Sequence, residues 1–561
     1  MNNNSTTDKK QVRILLGILA RKGVRNFIVS PGSRNTPIII GVAREPGFKS
    51  HVILDERCAG FAAMGIAQQS GSPVALVCTS GTAVLNYAPA IAEAYYQRIP
   101  LIVITADRPP EVIDQDDSQT LRQDCIYSNY IKYSCTLPVE VMCGEDAAYT
   151  ERLINQAVNA ANRFPRGPVH INVPLRDPLS GIVDVTEEAP RIIDDIVPEK
   201  LLSSGEAEIL ASKISHSPRV MVLASFHEYD KRLSEAVSAL SLLPQVTVLS
   251  ENLSNLHAGR AINTIDRVLT WIPEEEKSAF APDILITFGG SLVSKMIKQY
   301  LRGFTPSEHW NINECGYIVD TFGALTKQID ITPSDFFSRL LPLVGRGESS
   351  YGKMWQNISE RAAAARADYV ASVGWSDLKA FSVLLPEIPE GTALQLSNGT
   401  PVRYAQLFDC RQFSGVNSNR GVSGIDGSVS TAVGATMAQR DKDTLLITGD
   451  MGFLYDSNAL AIPGIPDTLK IAVMKNGGGG IFRFLPGTAS LPELERYFET
   501  VQDVDVKGFA GMYGFDYFRA GSEKELKEVL PEFFKCSGKA ILEIATPRTE
   551  NDIILRNYFK K

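Results

Sequence analysis

The sequence predicts an α/β fold made of three consecutive doubly wound parallel-sheet domains. Three observations carry that expectation. Apolar runs that read as buried strands alternate with helical segments, most clearly in the first third of the chain, which is the rhythm of a parallel sheet covered on both faces. A chain of 561 residues is too long for one core and fits about three or four domains. Several of the apolar runs end in Gly-, Ser- or Asp-containing loops, at the strand ends where open α/β sheets take ligands.

The elements follow in order. In the first unit, residues 1–185, a helix over about Lys9–Arg21 precedes strand Asn26–Ser30. Strand His51–Leu54, a small-residue helix from Ala59 to Ala67, strand Val74–Thr79, helix Thr82–Gln97 and strand Leu101–Ala106 come next. The acidic, proline-containing stretch Thr186–Lys200 reads as a linker. The central unit, residues 186–350, holds strand Arg219–Ala224, helix Arg232–Leu242 and strands Val246–Ser250, Asp283–Phe288 and His309–Asn313. Charged helical sequence from about Tyr351 to Glu387 opens the third unit, residues 351–561. Its elements are strand Thr392–Leu396, helices Pro401–Phe408 and Ser428–Gln439, and strands Thr444–Thr448, Lys470–Met474 and Lys539–Ile544. Both outer units place a Gly/Ala-rich helix before a strand ending in a glycine loop: Ala62–Ala67 before Cys78-Thr-Ser-Gly81, and Thr431–Ala435 before Thr448-Gly-Asp450. This hints at duplication, and small residues there also suit close packing of helix on sheet.

Composition narrows the function. Hydrophobic residues make up 44% and charged residues 21%, an ordinary soluble profile. No apolar run approaches the roughly 18 residues needed to span a bilayer. The start, Met1–Asp8, has no apolar signal core, so a frayed terminus, no export and a cytoplasmic location are expected. A net charge of −8 with no basic tract argues against nucleic acid. Eight scattered cysteines without a C-x-x-C read as reduced thiols, and the six histidines lack zinc-ligand spacing. Neither a nucleophile elbow nor a P-loop is present.

Chemistry concentrates at two strand ends in the third unit. Thr448-Gly449-Asp450-Met451 and Lys475-Asn476-Gly477-Gly478 each close an apolar run. A carboxylate and a carboxamide are hard oxygen donors that suit Mg²⁺, completed by backbone carbonyl, water and phosphate oxygens. Glycines let the backbone approach a phosphate. The same pair also fits two ordinary turns with no ligand. In the first unit, Asp55-Glu56-Arg57 sits at a strand end and helix start, where a carboxylate often serves only first-turn electrostatics.

The paired motifs resemble the Gly-Asp-Gly…Asn-Asn signature of thiamine-diphosphate enzymes, with Met451 and Lys475 in place of the usual Gly and Asn. Longer motifs occur in order: Ser30-Pro-Gly-Ser-Arg-Asn-Thr-Pro37, Ala106-Asp-Arg-Pro-Pro-Glu111 with Ser118-Gln119, Ser418-Asn-Arg-Gly-Val-Ser-Gly-Ile-Asp-Gly427 and Asn476-Gly-Gly-Gly-Gly-Ile-Phe482. Together they resemble, over essentially the whole chain, the 2-succinyl-5-enolpyruvyl-6-hydroxy-3-cyclohexene-1-carboxylate synthases of menaquinone biosynthesis.

The resemblance implies thiamine-diphosphate-dependent decarboxylation of 2-oxoglutarate. Conjugate, Stetter-like addition of the succinyl-semialdehyde carbanion to isochorismate follows. It implies that Glu56, Gln119 and Ile425 serve catalysis: Glu56 as the carboxyl partner of the aminopyrimidine, Ile425 as the prop under the bent cofactor, and Gln119 as one route for proton transfer beside the cofactor amine and water. Ser80, Gly81, Ser397, Arg420, Ser423, Gly449, Asp450 and Asn476 join Glu56 and Ile425 around the cofactor. Asp450, Asn476 and the Gly478 carbonyl hold Mg²⁺, or Mn²⁺ in its place. Ser33, Arg34, Arg108, Gln119, Lys295, Arg403 and Arg420 fall to the substrate pocket, with Ile481, Phe482 and Leu485 as its apolar wall. Guanidinium groups suit the two dicarboxylate substrates because they pair bidentately. The family often carries Arg where this chain has Met296. Four consecutive glycines, Gly477–Gly480, imply a mobile backbone before the wall. A homodimer or dimer of dimers with active sites between chains is the implied assembly. The competing readings are an acetolactate-synthase-like carboligase and a non-catalytic nucleotide-binding regulator.

Overall fold

The computed structural model describes residues 5–185 and 189–560, without the side chain of Pro486. The chain forms two compact units. One holds the residues up to Val197 with Asn419–Asp441 and Tyr455–Leu469; the other holds Pro198–Ser418, Lys442–Leu454 and Lys470 onwards.

The first unit is built on a six-stranded parallel sheet in the spatial order Lys49–Val52, Asn26–Val29, Val74–Cys78, Leu101–Asp107, Val169–Pro174, Ser134–Thr136. Numbered along the chain, that order is 2-1-3-4-6-5. The order in which strands are added therefore reverses between the first and third strands, which opens a crevice at their carboxyl ends. Two loops meet there. Ser30 N–H donates to the Val77 carbonyl at 2.8 Å, and a Cβ on Gly32 would lie 2.3 Å from Thr79 Cβ, so only glycine fits.

The second unit contains two sheets. The central one has five parallel strands ordered Val246–Ser250, Val220–Ala224, Ile284–Phe288, Glu308–Ile312, Lys327–Ile329. The other is ordered Gly415–Ser418, Ala393–Leu396, Thr444–Gly449, Leu469–Lys475, Ala540–Ala545, Asp516–Ala520. Its order is again 2-1-3-4-6-5, so the duplication hinted at by one helix–strand pair extends to a complete sheet topology. The fold is thus α/β with three doubly wound parallel sheets.

The small-residue helices pack on each other, and helix Glu56–Ser70 also packs on strands Asn26–Val29 and Val74–Cys78 of the sheet. Helix Ser428–Ala438 lies against helix Glu56–Ser70 within the first unit. A Cβ on Gly65 would fall 2.1 Å from the Thr431 carbonyl oxygen, and one on Gly434 would fall 2.0 Å from that of Ala62. Gly and Ala on these helices allow backbone-to-backbone approach.

Some boundaries differ from expectation. The strand expected at His51–Leu54 is Lys49–Val52, which leaves Leu54 77% exposed. The helix expected over Thr82–Gln97 divides at Tyr87 into Thr82–Asn86 and Ala88–Gln97. Pro89 has no N–H to continue the ladder, and the Tyr87 hydroxyl is drawn inward to the Val77 carbonyl at 2.9 Å. Strand Val169–Pro174 went unforeseen because His170 and Asn172 interrupt its apolar pattern. Both are buried and satisfied by Thr105 Oγ1, at 2.7 and 2.8 Å. Of the terminus expected to fray, residues 1–4 lie outside the described residues, but Ser5–Thr7 form a strand antiparallel to Ile182–Asp184. In the stretch read as a linker, residues 186–188 lie outside the described residues. The part from 189 on has no regular structure and is pinned to helix Gly144–Asn162, for example by Ile193 N–H on Asn155 Oδ1 at 2.8 Å. All eight cysteines are free thiols. Among the described residues no helix is long and apolar enough to cross a membrane.

Candidate active site

In the first unit, Glu56 is the first residue of helix Glu56–Ser70, and the Asp55 carboxylate caps that helix by accepting from Cys58 N–H at 3.2 Å. Burial raises the Glu56 carboxyl above its ordinary pKa, with a smaller push from the Asp55 charge. Asp456, fully buried, accepts from Ser430 N–H at 2.6 Å and Ser430 Oγ at 2.7 Å, and Arg57 lies 3.8 Å away. It therefore ties the start of helix Ser428–Ala438 to the start of the Glu56 helix. Burial pushes Asp456 up to about 7.

Ser80, Gly81 and Gln119 form one knot. Ser80 Oγ donates to the Gln119 carbonyl at 2.9 Å and Gln119 Nε2 donates back to the Ser80 carbonyl at 3.3 Å. Gln119 sits at φ 59° and Gly81 at φ 88°. The Gln119 backbone therefore carries strain, which this knot of contacts holds in place. Gln123, missed at the sequence level, supports the knot from below. Its Oε1 accepts from Gly81 N–H at 3.1 Å, and its Nε2 donates to Ala106 O and Asn172 Oδ1.

The arginines in this unit are engaged. Arg34 donates to the Leu175 carbonyl at 3.0 Å and to Asp177 at 3.1 Å, while Arg108 donates to the Ser118 carbonyl at 3.0 Å. Ser33 is exposed beside Arg34, and its carbonyl receives Thr36 N–H and Oγ1. Arg420 is buried in a loop gripped by Glu93, whose carboxylate accepts from Gly421 N–H at 2.5 Å and Val422 N–H at 2.7 Å. Ser423 follows at φ 66°, and Ile425 is half-buried. No sequence signal pointed to Glu93.

In the second unit, Ser397 follows the first strand of the last sheet and Asp450 follows its third, so both lie at the topological switch point. Asp450 is buried; its carboxylate accepts from Met451 N–H at 2.8 Å and Gly477 N–H at 2.7 Å. Asn476 Nδ2 donates to Asp377 Oδ2 at 3.0 Å. Burial pushes both Asp450 and Asp377 up to about 6, and the Asp377 charge contributes to the rise at Asp450. Two desolvated carboxylates in one place form a site that a hard cation would stabilise. Among the described residues no group of three or more His, Cys, Asp or Glu could hold a metal. The donor set here is one carboxylate, one amide and backbone carbonyls, which suits a divalent cation shared with phosphate oxygens. Space around Gly449 is open: an added Cβ would have no neighbour within 4 Å.

Gly477 at φ 82° turns the chain after Asn476. In the glycine run, Gly479 N–H donates to the Glu499 carbonyl at 2.8 Å and the Gly477 carbonyl accepts from Gln502 N–H at 3.3 Å. Gly478 O accepts from Gly480 N–H at 2.8 Å. Lys475, in the place of the usual first Asn, pairs with Asp503 at 2.7 Å. A cavity of about 250 Å³ in this unit takes Lys295, Arg403, Ile481 and Leu485 into its lining, along with Met296 and Phe484. Phe482 lies outside that lining and packs its ring on Phe498, with centroids 5.6 Å apart. Asp266, also in the lining, is pushed up to about 6 by burial, partly offset by its bond to Ser294 and by the Arg403 charge.

Duplicated doubly wound sheets, with a half-buried glutamate at one helix start and an Asp–Asn pair at a switch point, define a thiamine-diphosphate enzyme. Models of the thiamine pyrophosphate enzyme N-terminal and C-terminal TPP binding domains match residues 9–125 and 398–544. The chain is 44% identical to the 2-succinyl-5-enolpyruvyl-6-hydroxy-3-cyclohexene-1-carboxylate synthase of Porphyromonas gingivalis, over 99% of this chain and 97% of that protein. It is 42% identical to the synthase of the same name from Flavobacterium psychrophilum, over 97% and 98%, and 35% to that of Bacteroides thetaiotaomicron, over 99% of each. The chain belongs to the 2-succinyl-5-enolpyruvyl-6-hydroxy-3-cyclohexene-1-carboxylate synthase family.

Proposed function

We propose that the protein removes CO2 from 2-oxoglutarate and adds the remaining four-carbon unit to the conjugated ring of isochorismate, in menaquinone biosynthesis. The observation that carries this reading is the cavity that joins Lys295 and Arg403 to an apolar wall containing Ile481 and Leu485. Cations beside an apolar surface suit a ring that bears carboxylates. Bound thiamine diphosphate supplies the electron sink that makes the carbonyl carbon of a 2-oxo acid nucleophilic as CO2 leaves.

The chain's own residues do the rest. Glu56, whose carboxyl burial lifts above its ordinary pKa, would share a proton with the aminopyrimidine nitrogen of the bound cofactor. Asp450, Asn476 and the Gly478 carbonyl hold Mg²⁺, with Mn²⁺ as a substitute, against the diphosphate; Ser397 and Gly449 line the same strand ends. Ser80, Gly81, Ser423 and Ile425 position the cofactor. Ser33, Arg34, Arg108, Lys295, Arg403 and Arg420 receive substrate carboxylates, and Phe482 lies on the segment beside the wall. Gln119 relays the proton that completes the addition. On this reading, residues 1–185 bind the pyrimidine, 186–350 form a central domain and 351–561 bind the diphosphate.

CO2 release tests the donor. With thiamine diphosphate and Mg²⁺ present, 2-oxoglutarate should be turned over far faster than pyruvate. A preference for pyruvate would move the protein to the acetolactate type.

The proposed assembly is a cytoplasmic homodimer, alone or paired into a tetramer, with each site shared between chains. Support comes from apolar surface beside Glu56: Leu54 is 77% exposed, and Tyr455, whose ring lies 5.0 Å from the Arg57 guanidinium, is 56% exposed. Mixing two inactive variants, Glu56→Gln and Asp450→Ala, should restore activity once subunits exchange, because one site of a mixed dimer keeps both native groups. Tagged mixed dimers that form yet stay inactive at saturating cofactor would rule out the shared site.

A further inference from the structure

A carboxylate outside every motif of the sequence fixes the amide of Asn476. Asp377 opens helix Asp377–Glu387, 99 residues away in the chain, and is buried. Both of its oxygens are assigned: Oδ1 accepts from Thr546 Oγ1 at 2.5 Å and Oδ2 accepts from Asn476 Nδ2 at 3.0 Å. Its backbone N–H donates to Asn551 Oδ1 at 2.8 Å, and Asn551 Nδ2 is anchored in turn on the Pro547 carbonyl at 2.7 Å. A carboxylate only accepts, so the Asn476 NH2 group must face it. The amide oxygen is thereby presented on the other side. The next residue, Gly477, donates its N–H to Asp450 on the same turn.

We propose that Asp377 is a positioning residue. It holds the Asn476 amide with its oxygen directed as a ligand for the divalent cation and keeps the NH2 donors, which would repel a cation, turned away. The proposal rests on the reading of Asp450 and Asn476 as metal ligands. Outer partners of this kind typically change metal affinity by about 10–100-fold when removed.

The test is Mn²⁺ binding, read as loss of the free-ion EPR signal, with thiamine diphosphate present and no substrate. Asp377→Asn keeps the shape but offers an NH2 group of its own, so the Asn476 amide loses its fixed orientation. Mn²⁺ affinity should fall by about 10–100-fold, while the thermal midpoint of the cofactor-free protein stays near the parent's. The exchanged pair, Asp377→Asn with Asn476→Asp, should recover most of the loss, since either carboxylate oxygen can serve as ligand. Unchanged affinity in Asp377→Asn, or a loss that the exchanged pair does not recover, overturns the positioning role. Asp450→Ala separates the two readings. If it binds Mn²⁺ like the parent, the metal site itself is misassigned; if it loses Mn²⁺ while Asp377→Asn does not, only the positioning role fails.

Discussion

Replacing Glu56 by glutamine is expected to lower turnover by about 10²–10⁴-fold, the usual worth of a positioned acid–base group. Folding and cofactor affinity should stay close to the parent's. Glu56 sits at the start of its helix, and the cap belongs to Asp55, so the fold does not depend on the carboxyl. Gln preserves the shape but cannot exchange a proton with the aminopyrimidine ring. Exchange of the cofactor's thiazolium proton, followed by NMR in the protein complex, reports this step without substrate. It should slow in step with turnover. Near-normal exchange in Glu56→Gln would remove the residue from the mechanism.

Asp450→Ala should have the second-largest effect, and on binding rather than on the chemical step. Asp450 orders Met451 N–H and Gly477 N–H around its carboxylate. Its loss therefore removes one metal ligand and loosens the turn that carries Asn476. A ligand at 100 times its Kd stabilises the native state by about 2.7 kcal/mol. Most of that shift, measured as the rise in thermal midpoint on adding thiamine diphosphate and Mg²⁺, should disappear in the variant. A rise equal to the parent's would place the metal elsewhere.

The sequence and the fold meet at the strand ends. Apolar runs such as Val74–Cys78 and Leu101–Asp107 were legible because strands buried on both faces cannot carry polar residues without partners. Asp450 and Asn476 were legible because each closes such a run. Strand order was not, since it depends on which crossovers pack where; the repeated 2-1-3-4-6-5 order became visible only in the structure. The supporting carboxylates were equally hidden. Asp377, Glu93 and Asp456 act over sequence separations of 99, 328 and 26 residues, on backbone or amide groups that leave no local pattern. Val169–Pro174 shows the converse: its polar residues His170 and Asn172 pointed away from a buried strand, yet both are satisfied inside the sheet by Thr105 of the neighbouring strand. Phe482 and Phe484 show the limit of reading a wall from sequence alone, because helix Ile481–Phe484 turns one ring towards Phe498 and the other into the cavity.

The central claim is the pairing of donor and acceptor. Purified protein incubated with thiamine diphosphate, Mg²⁺, 2-oxoglutarate and isochorismate should consume both acids in equal amounts. It should release one CO2 per turnover and form a single product whose mass is that of the two acids less CO2. Omitting isochorismate should stop product formation. Release of CO2 with isochorismate left unconsumed, or a product built from two oxo acids, would contradict the account.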